Sequence, residues 1–275
     1  VADSAASSRF EVVVTSRGGL AVLDRAAGEV MHPGVGARIE AEELYVRQSR
    51  LADRLAEGGA PLTLFDVGLG AASNALAALG AARAAPPGSR RLEVLSFERD
   101  PAALAFAASD GCAGRLGLCA EDVRAVRQLL ASGCHEEPGL RWRLVPGDVL
   151  AALPAAPGRA DVAFWDPFSP RQNPELWSMG AFAALRARCG PRAAVFTYST
   201  ATAVRSALLL AGFYAGAGDP SGAKAATTAA ATEPSLLARP LDRRWLERLG
   251  RSSAPFPPDA PSDALDRIRA HPQFR

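Results

Sequence analysis

Lysine is almost missing from this 275-residue chain: Lys224 is the only one among 31 basic residues, and the rest are arginine. That skew, together with the abundance of alanine, reads as codon bias, so the alanine runs carry little structural information. Cysteine is scarce, and Cys112, Cys119, Cys134 and Cys189 form neither a CxxC pair nor a spacing that fits zinc. They read as free thiols of a reducing compartment, which argues against a disulfide scaffold. No apolar run reaches the roughly 20 residues that span a bilayer, and the first residues lack the basic-then-apolar order of a secretion signal. The expectation is a cytoplasmic protein with no membrane partner and no metal. A charge excess is lacking too: 31 basic against 29 acidic residues leave a formal +2, which permits a nucleic-acid partner without indicating one.

What is present is a globular composition, 48% hydrophobic and 22% charged. FEVVVT (10–15) and LAVLD (20–24) flank a turn-forming SRGG and predict a hairpin. HPGVG (32–36) breaks the chain, and 39–58 has the period of one amphipathic helix. Strands are then predicted at 61–70, 91–100, 141–149, 160–170 and 193–199, alternating with helices at 72–85, from Pro101, at 121–132, 182–189 and 202–213. Two weaker strands fall at 214–218 and 225–230. The alternation predicts an α/β, Rossmann-like, doubly wound and mostly parallel sheet. The chain divides into an N-terminal hairpin and helix (1–58), a core (59–233) and a Pro- and Arg-rich tail (234–275). Eight arginines against five acids give the stretch 238–275 a net +3.

In such a sheet a ligand binds beyond the carboxyl ends of the strands, and each motif falls there. Asp66-Val67-Gly68-Leu69-Gly70-Ala71-Ala72 turns sharply from strand to helix, with Gly68 and Gly70 letting the backbone approach a ligand. Ala72 replaces the third glycine of a dinucleotide fingerprint, and Asp66 would repel a pyrophosphate. A ligand carrying a sulfonium and an ammonium would instead be attracted. Glu98 ends the next strand, where a carboxylate accepts ribose hydroxyls. Asp100 is the alternative if that strand ends later, and a solvated helix cap is the bland one. Asp148, after Gly147, is placed to accept an adenine amino group, although a Gly-Asp turn alone is commonplace.

The densest motif is Asp166-Pro167-Phe168-Ser169-Pro170-Arg171-Gln172-Asn173-Pro174-Glu175-Leu176-Trp177. Two prolines stiffen the loop around Phe168, which suits a planar base, and Asp166 opens it facing an amine. Asn173 is a further candidate contact to the substrate.

DVGLGAASN, SFERD, PGDV and especially DPFSPRQNPELW resemble the MnmC-like family of tRNA wobble-uridine methyltransferases, as do GVGARIEAEELYVRQSRL and AGFYAGAGDPSGAK. The resemblance covers roughly residues 10 to 230. It implies a class I methyltransferase sheet of seven strands with an antiparallel edge hairpin, S-adenosylmethionine as cofactor, and tRNA as partner. The reaction it implies is methyl transfer to the aminomethyl group on carbon 5 of the wobble uridine. On this resemblance Gly68 and Gly70, with the acid Asp66 before them, lie by the methionine part, Glu98 at the ribose and Asp148 at the adenine. Asp166 faces the acceptor amine, and Lys224 meets RNA phosphate. Pro167 stands where the long form has glycine, and the family's basic segment is reduced to Lys224. The flavin-dependent oxidase domain of the long form is not expected here, so carboxymethyl removal is expected to occur elsewhere.

An alkylamine is mostly protonated at neutral pH and must lose a proton before it attacks, which is the role expected of Asp166. Competing readings are a methyltransferase for a small molecule or protein amine, and a non-catalytic cofactor- or RNA-binding module. An NAD-dependent oxidoreductase is disfavoured by Ala72 and Asp66. Arg239, Arg243, Arg244, Arg248 and Arg251 would follow a phosphate backbone or form a solvated helix face.

Overall fold

The structure is a computed structural model that describes residues 9–220 and 226–275; Lys224 lies outside the described residues. The predicted hairpin is there, as β1 (Phe10–Val14) and β2 (Leu20–Asp24), with Phe10 opposite Asp24. A two-residue strand, β3 (Glu29–Val30), adds a third antiparallel partner. Two residues are too few to show any period, so sequence had no means of announcing it.

The expected single helix over 39–58 is instead three pieces. A short α1 (Ala37–Glu40) continues as a widened π turn (Ala41–Arg47), and the chain breaks at Arg50 before α2 (Leu51–Ala56). Arg50 is left-handed, with φ of 54°, which interrupts the i to i−4 ladder. Inserted residues of this kind re-aim the side chains beyond them. Here the π turn presents Tyr45, almost wholly buried, towards the main sheet.

That sheet is built from β4 (Leu62–Val67), β5 (Leu92–Glu98), β6 (Cys134–Glu137), β7 (Leu140–Pro146), β8 (Ala160–Trp165), β9 (Cys189–Thr197), β10 (Tyr214–Gly218) and β11 (Thr227–Ala231). Their order is β10-β11-β9-β8-β4-β5-β7-β6. The five central strands are parallel, and β11 runs antiparallel between β9 and β10. The seven expected strands are thus present in a mostly parallel sheet. Beyond them β6, a polar CHEE segment, pairs antiparallel with β7 as an added edge.

Period-two alternation divides the core. Leu62 and Leu64 of β4, with Val162 and Phe164 of β8, pack on α3 (Ser73–Arg83), α5 (Ala120–Ser132) and the π turn. Phe65, Val67, Ala163 and Trp165 pack on α7 (Met179–Ala187) and α8 (Thr202–Leu210), with α4 (Ala102–Ala107) and α6 (Val149–Ala152) completing the chain between. By the same alternation Asp66 and Asp166 leave neighbouring strands on the Tyr45 side.

The tail folds back on β10. Ala217 donates to the Arg239 carbonyl at 2.8 Å and Leu241 to that of Ala215 at 2.9 Å, which covers an otherwise open strand edge. Gln273 bonds both the amide and the carbonyl of Ala215. Helices α9 (Arg243–Leu249) and α10 (Ala264–Arg269) enclose Trp245, which stacks on Phe274. Trp245→Ala is expected to lower unfolding free energy by about 3–5 kcal/mol, read as a lower denaturant midpoint. An unchanged midpoint would show that the tail contributes nothing to stability. No helix among the described residues is long and apolar enough to cross a membrane.

Candidate active site

The β4 turn and the β8 loop touch backbone to backbone. Gly68 has φ of +85°, and a Cβ there would lie 2.6 Å from the Asp166 carbonyl oxygen and 2.8 Å from Pro167 Cα. Asp166 in turn donates its amide to the Val67 carbonyl at 2.9 Å. Gly70, with φ of +51°, donates its amide to Glu98 Oε2 at 3.0 Å. The other Glu98 oxygen accepts from the Asp100 amide. Glycine turn, ribose candidate and acidic loop therefore meet at one point. Asp100 is drawn away to Arg9 and to the amide of Ala102, which leaves Glu98 as the acid facing the turn.

Asp66 lies beneath, fully buried. Its Oδ2 accepts from Ser96 Oγ at 2.7 Å, and Ser96 accepts from Trp142 Nε1 at 2.8 Å. Burial pushes its carboxyl up to about 7 against the pull of Ser96. Its Oδ1 has no hydrogen-bond partner among the described residues. Buried oxygens without partners cost free energy unless something fills them.

Asp166 Oδ2 accepts from Asn74 Nδ2 at 2.7 Å. The Asp166 side chain is 11% exposed. Burial raises its pKa, and the opposing influences of His32, Tyr45 and Asn74 do not cancel the effect. His32 Nε2 stands 3.6 Å from Asp166 Oδ2, and its Nδ1 stands 3.4 Å from Glu40 Oε2. Although burial favours the neutral ring, the two carboxylates outweigh it and raise the His32 pKa. The Tyr45 hydroxyl faces the same carboxylate, and burial drives its pKa well above the ordinary phenol value. Tyr198 donates to the Pro167 carbonyl at 3.1 Å and packs edge-on against Trp177.

The 166–177 loop is held from several sides. Trp177 donates to the Phe168 carbonyl at 2.8 Å, and Ser169 bonds Glu29 of β3 through its amide and hydroxyl. Phe168 and Asn173 are half-buried on this loop. Asp148, at the end of β7, caps α6 by accepting from the amides of Leu150 and Ala151, and it pairs with Arg99 at 2.9 Å. Its carboxylate is 41% exposed, at the strand end beside that of Glu98.

Sequence reasoning gathered Asp66, Gly68, Gly70, Glu98, Asp148 and Asp166 at adjoining strand ends, and the fold brings them there. It missed Asn74, Tyr198, Tyr45, Glu40 and His32. Tyr45 sits on an apolar stripe and reads as core. His32, one of three histidines in the chain, had only its rarity and the glycine-broken loop after it as a signal.

A family profile described as S-adenosyl-L-methionine-dependent methyltransferase matches residues 124–233. The tRNA 5-methylaminomethyl-2-thiouridine biosynthesis bifunctional protein MnmC of Pseudomonas aeruginosa (strain UCBPP-PA14) is 32% identical over 203 residues, 70% of this chain and 30% of that protein. MnmC of Paraburkholderia phytofirmans (strain PsJN) is 32% identical over 196 residues, 67% of this chain and 29% of that protein. The chain thus spans about 30% of the length of these curated relatives. In three dimensions it overlays on MNMC2 from Aquifex aeolicus with a TM-score of 0.72 and 24% identity, over 95% of this chain and 83% of that one.

Strand order, glycine turn and profile together define a class I S-adenosylmethionine-dependent methyltransferase. The cofactor fits the residues present: the unpartnered oxygens of Asp66 and Asn74 lie beside the left-handed glycine turn, at acidic strand ends suited to a cation. Within that class the chain belongs to the MnmC-like methyltransferase family.

Proposed function

We propose that the chain methylates the exocyclic nitrogen of the 5-aminomethyl group on the wobble uridine of tRNA. The observation that carries this reading is Asp166, a nearly buried carboxylate tied to Asn74 at a strand end rich in acids. Such a group attracts an amine and orients it, and it is poorly suited to an anionic acceptor. The names of the MnmC relatives, which place those proteins in tRNA 5-methylaminomethyl-2-thiouridine biosynthesis, support the choice of tRNA.

S-adenosylmethionine, when bound, supplies an electrophilic methyl group. Asp66, Gly68 and Gly70 would hold its methionine part, Glu98 its ribose and Asp148 its adenine. Asp166 accepts a hydrogen bond from the acceptor nitrogen and takes the proton that an ammonium must lose before its lone pair is free. The rest of the rate comes from positioning and exclusion of water. Phe168 offers a face to the uracil ring, Asn173 a polar edge, and Lys224 a charge for phosphate. Residues 59–233 carry this chemistry, with the described residues 9–58 and 234–275 packed around them. A tRNA substrate also implies a cytoplasmic setting.

The test is transfer of labelled methyl from the cofactor to bulk tRNA from a strain lacking this gene, followed by nucleoside analysis. Label in a 5-methylaminomethyl-uridine nucleoside is the expected result. Cofactor binding without labelled tRNA would overturn the substrate and direct attention to small-molecule or protein amines.

A further inference from the structure

The loop 31–36 is closely held, and only Pro33 in it is exposed. His32 has a left-handed backbone, with φ of 57°, a conformation uncommon for a residue with a side chain and often retained where function needs it. Gly34 donates its amide to Glu40 Oε1 at 3.0 Å, and a Cβ on Gly34 would strike that oxygen. A Cβ on Gly19 would likewise strike the Val35 carbonyl, so the loop is pinned against the β1–β2 turn. These contacts set one imidazole between two carboxylates, with His32 12% and Glu40 14% exposed.

We propose that His32, braced by Glu40, is a positioning residue for methyl transfer: its imidazolium is the counter-charge that holds Asp166 as the carboxylate facing the acceptor amine. The inference rests on the methyl-transfer reading of Asp166. The charged and titratable groups around His32 are Glu40 from α1, Asp166 from the loop after β8 and Asp66 from the end of β4. Tyr45 from the π turn, Asn74 from α3 and Tyr198 from the end of β9 complete the surroundings of Asp166. Of these, only His32 carries positive charge. Burial works to protonate Asp166, and His32 is the first influence that opposes it. Without the imidazolium a buried carboxylate crowded by Glu40 and Asp66 would hold its proton to higher pH and could not accept one from the amine.

The sign of the test follows. In His32→Gln the acid limb of the pH–rate profile moves to higher pH, because Asp166 must now be ionised without help. Each unit of that shift lowers the rate below the limb about tenfold. The expected result with the full chain is a loss of about tenfold or more in kcat near neutral pH and recovery to within about threefold near pH 9, with cofactor affinity unchanged. Glu40→Gln loosens His32 but also removes a negative charge that itself raises Asp166, so its limb should move less than that of His32→Gln. Two outcomes overturn the proposal: an unmoved limb, or activity lost at every pH with cofactor still bound, which would make His32 the base itself.

A second readout needs no turnover. The chain has three histidines, so the His32 imidazole signal is assigned in proton NMR by its loss in His32→Gln. It should titrate above the ordinary value of about 6.5 in the wild-type chain, and lower in both Glu40→Gln and Asp166→Asn. A midpoint insensitive to both substitutions overturns the assignment. If the wild-type chain labels no tRNA, the substrate reading fails, and this titration alone still decides whether His32 and Asp166 are coupled.

Discussion

Asp166→Asn is expected to lower kcat for methyl transfer by about 10³-fold, within the range typical of a lost general base. Cofactor affinity should stay within about threefold of wild type, since the groups assigned to the cofactor are Asp66, Gly68, Gly70, Glu98 and Asp148. The substitution keeps volume and shape but removes the charge that attracts an ammonium and the basicity that takes its proton. It also sets a second amide against Asn74, whose Nδ2 now donates to Asp166 Oδ2. That loss is local and should cost no more than about 1–3 kcal/mol of stability. Single-turnover methyl transfer measured beside calorimetric cofactor binding separates the two effects. Unchanged turnover would falsify the assignment of Asp166 to the acceptor amine. Loss of both activities in step would instead put Asp166 in the cofactor site.

The second large effect belongs to a residue with no side chain. Gly68→Ala places a methyl group 2.6 Å from the Asp166 carbonyl oxygen and 2.8 Å from Pro167 Cα, both of them backbone. Neither neighbour is a flexible chain end that swings aside. The left-handed φ adds roughly 1–2 kcal/mol on its own. The turn and the loop must therefore separate, which should abolish measurable cofactor binding and lower the melting temperature. Gly70→Ala is the instructive comparison. Its Cβ would meet Met31 Sδ at 3.0 Å, and a methionine side chain adapts, so cofactor affinity should fall by only about tenfold. Gly80, inside α3 with open space around it, provides the control: alanine there should stabilise the helix by about 0.5–1 kcal/mol. If Gly68→Ala binds cofactor as well as Gly80→Ala, the contact between turn and loop has no bearing on the ligand.

The sheet was legible because its signals are local. Runs such as Leu62–Val67 and Ala160–Trp165 are apolar on both faces, as buried parallel strands must be, and the helices between them carry their own period. The strand-end acids were legible because topology alone says where ligands bind. β6 was not, since Cys134–Glu137 is short and polar and becomes a strand only because β7 offers it an edge. Nor could the break at Arg50 be read, because the apolar stripe runs through it and the π turn trades hydrogen bonds rather than residue types. The surroundings of Asp166 escaped for a related reason. His32, Glu40 and Tyr45 reach it from more than 100 residues upstream, and no local pattern encodes a contact of that span.

The contact between Glu29 and Ser169 joins residues 140 apart in the chain. At about 5–20 residues per second on the ribosome, roughly 7 to 28 seconds separate the synthesis of the two. Over that interval the three-stranded N-terminal sheet, with His32 at its exit, has emerged without the loop it later clasps. Closing so long a span carries an entropic cost that local pairing does not. The parallel strands β4 and β5 therefore have time to pair before the N-terminal sheet clasps the 166–177 loop, and the groups around Asp166 come together late in folding. A slow final phase in tryptophan fluorescence that follows the completed sheet signal in circular dichroism, and is lost in Trp177→Phe, would be the mark of that order.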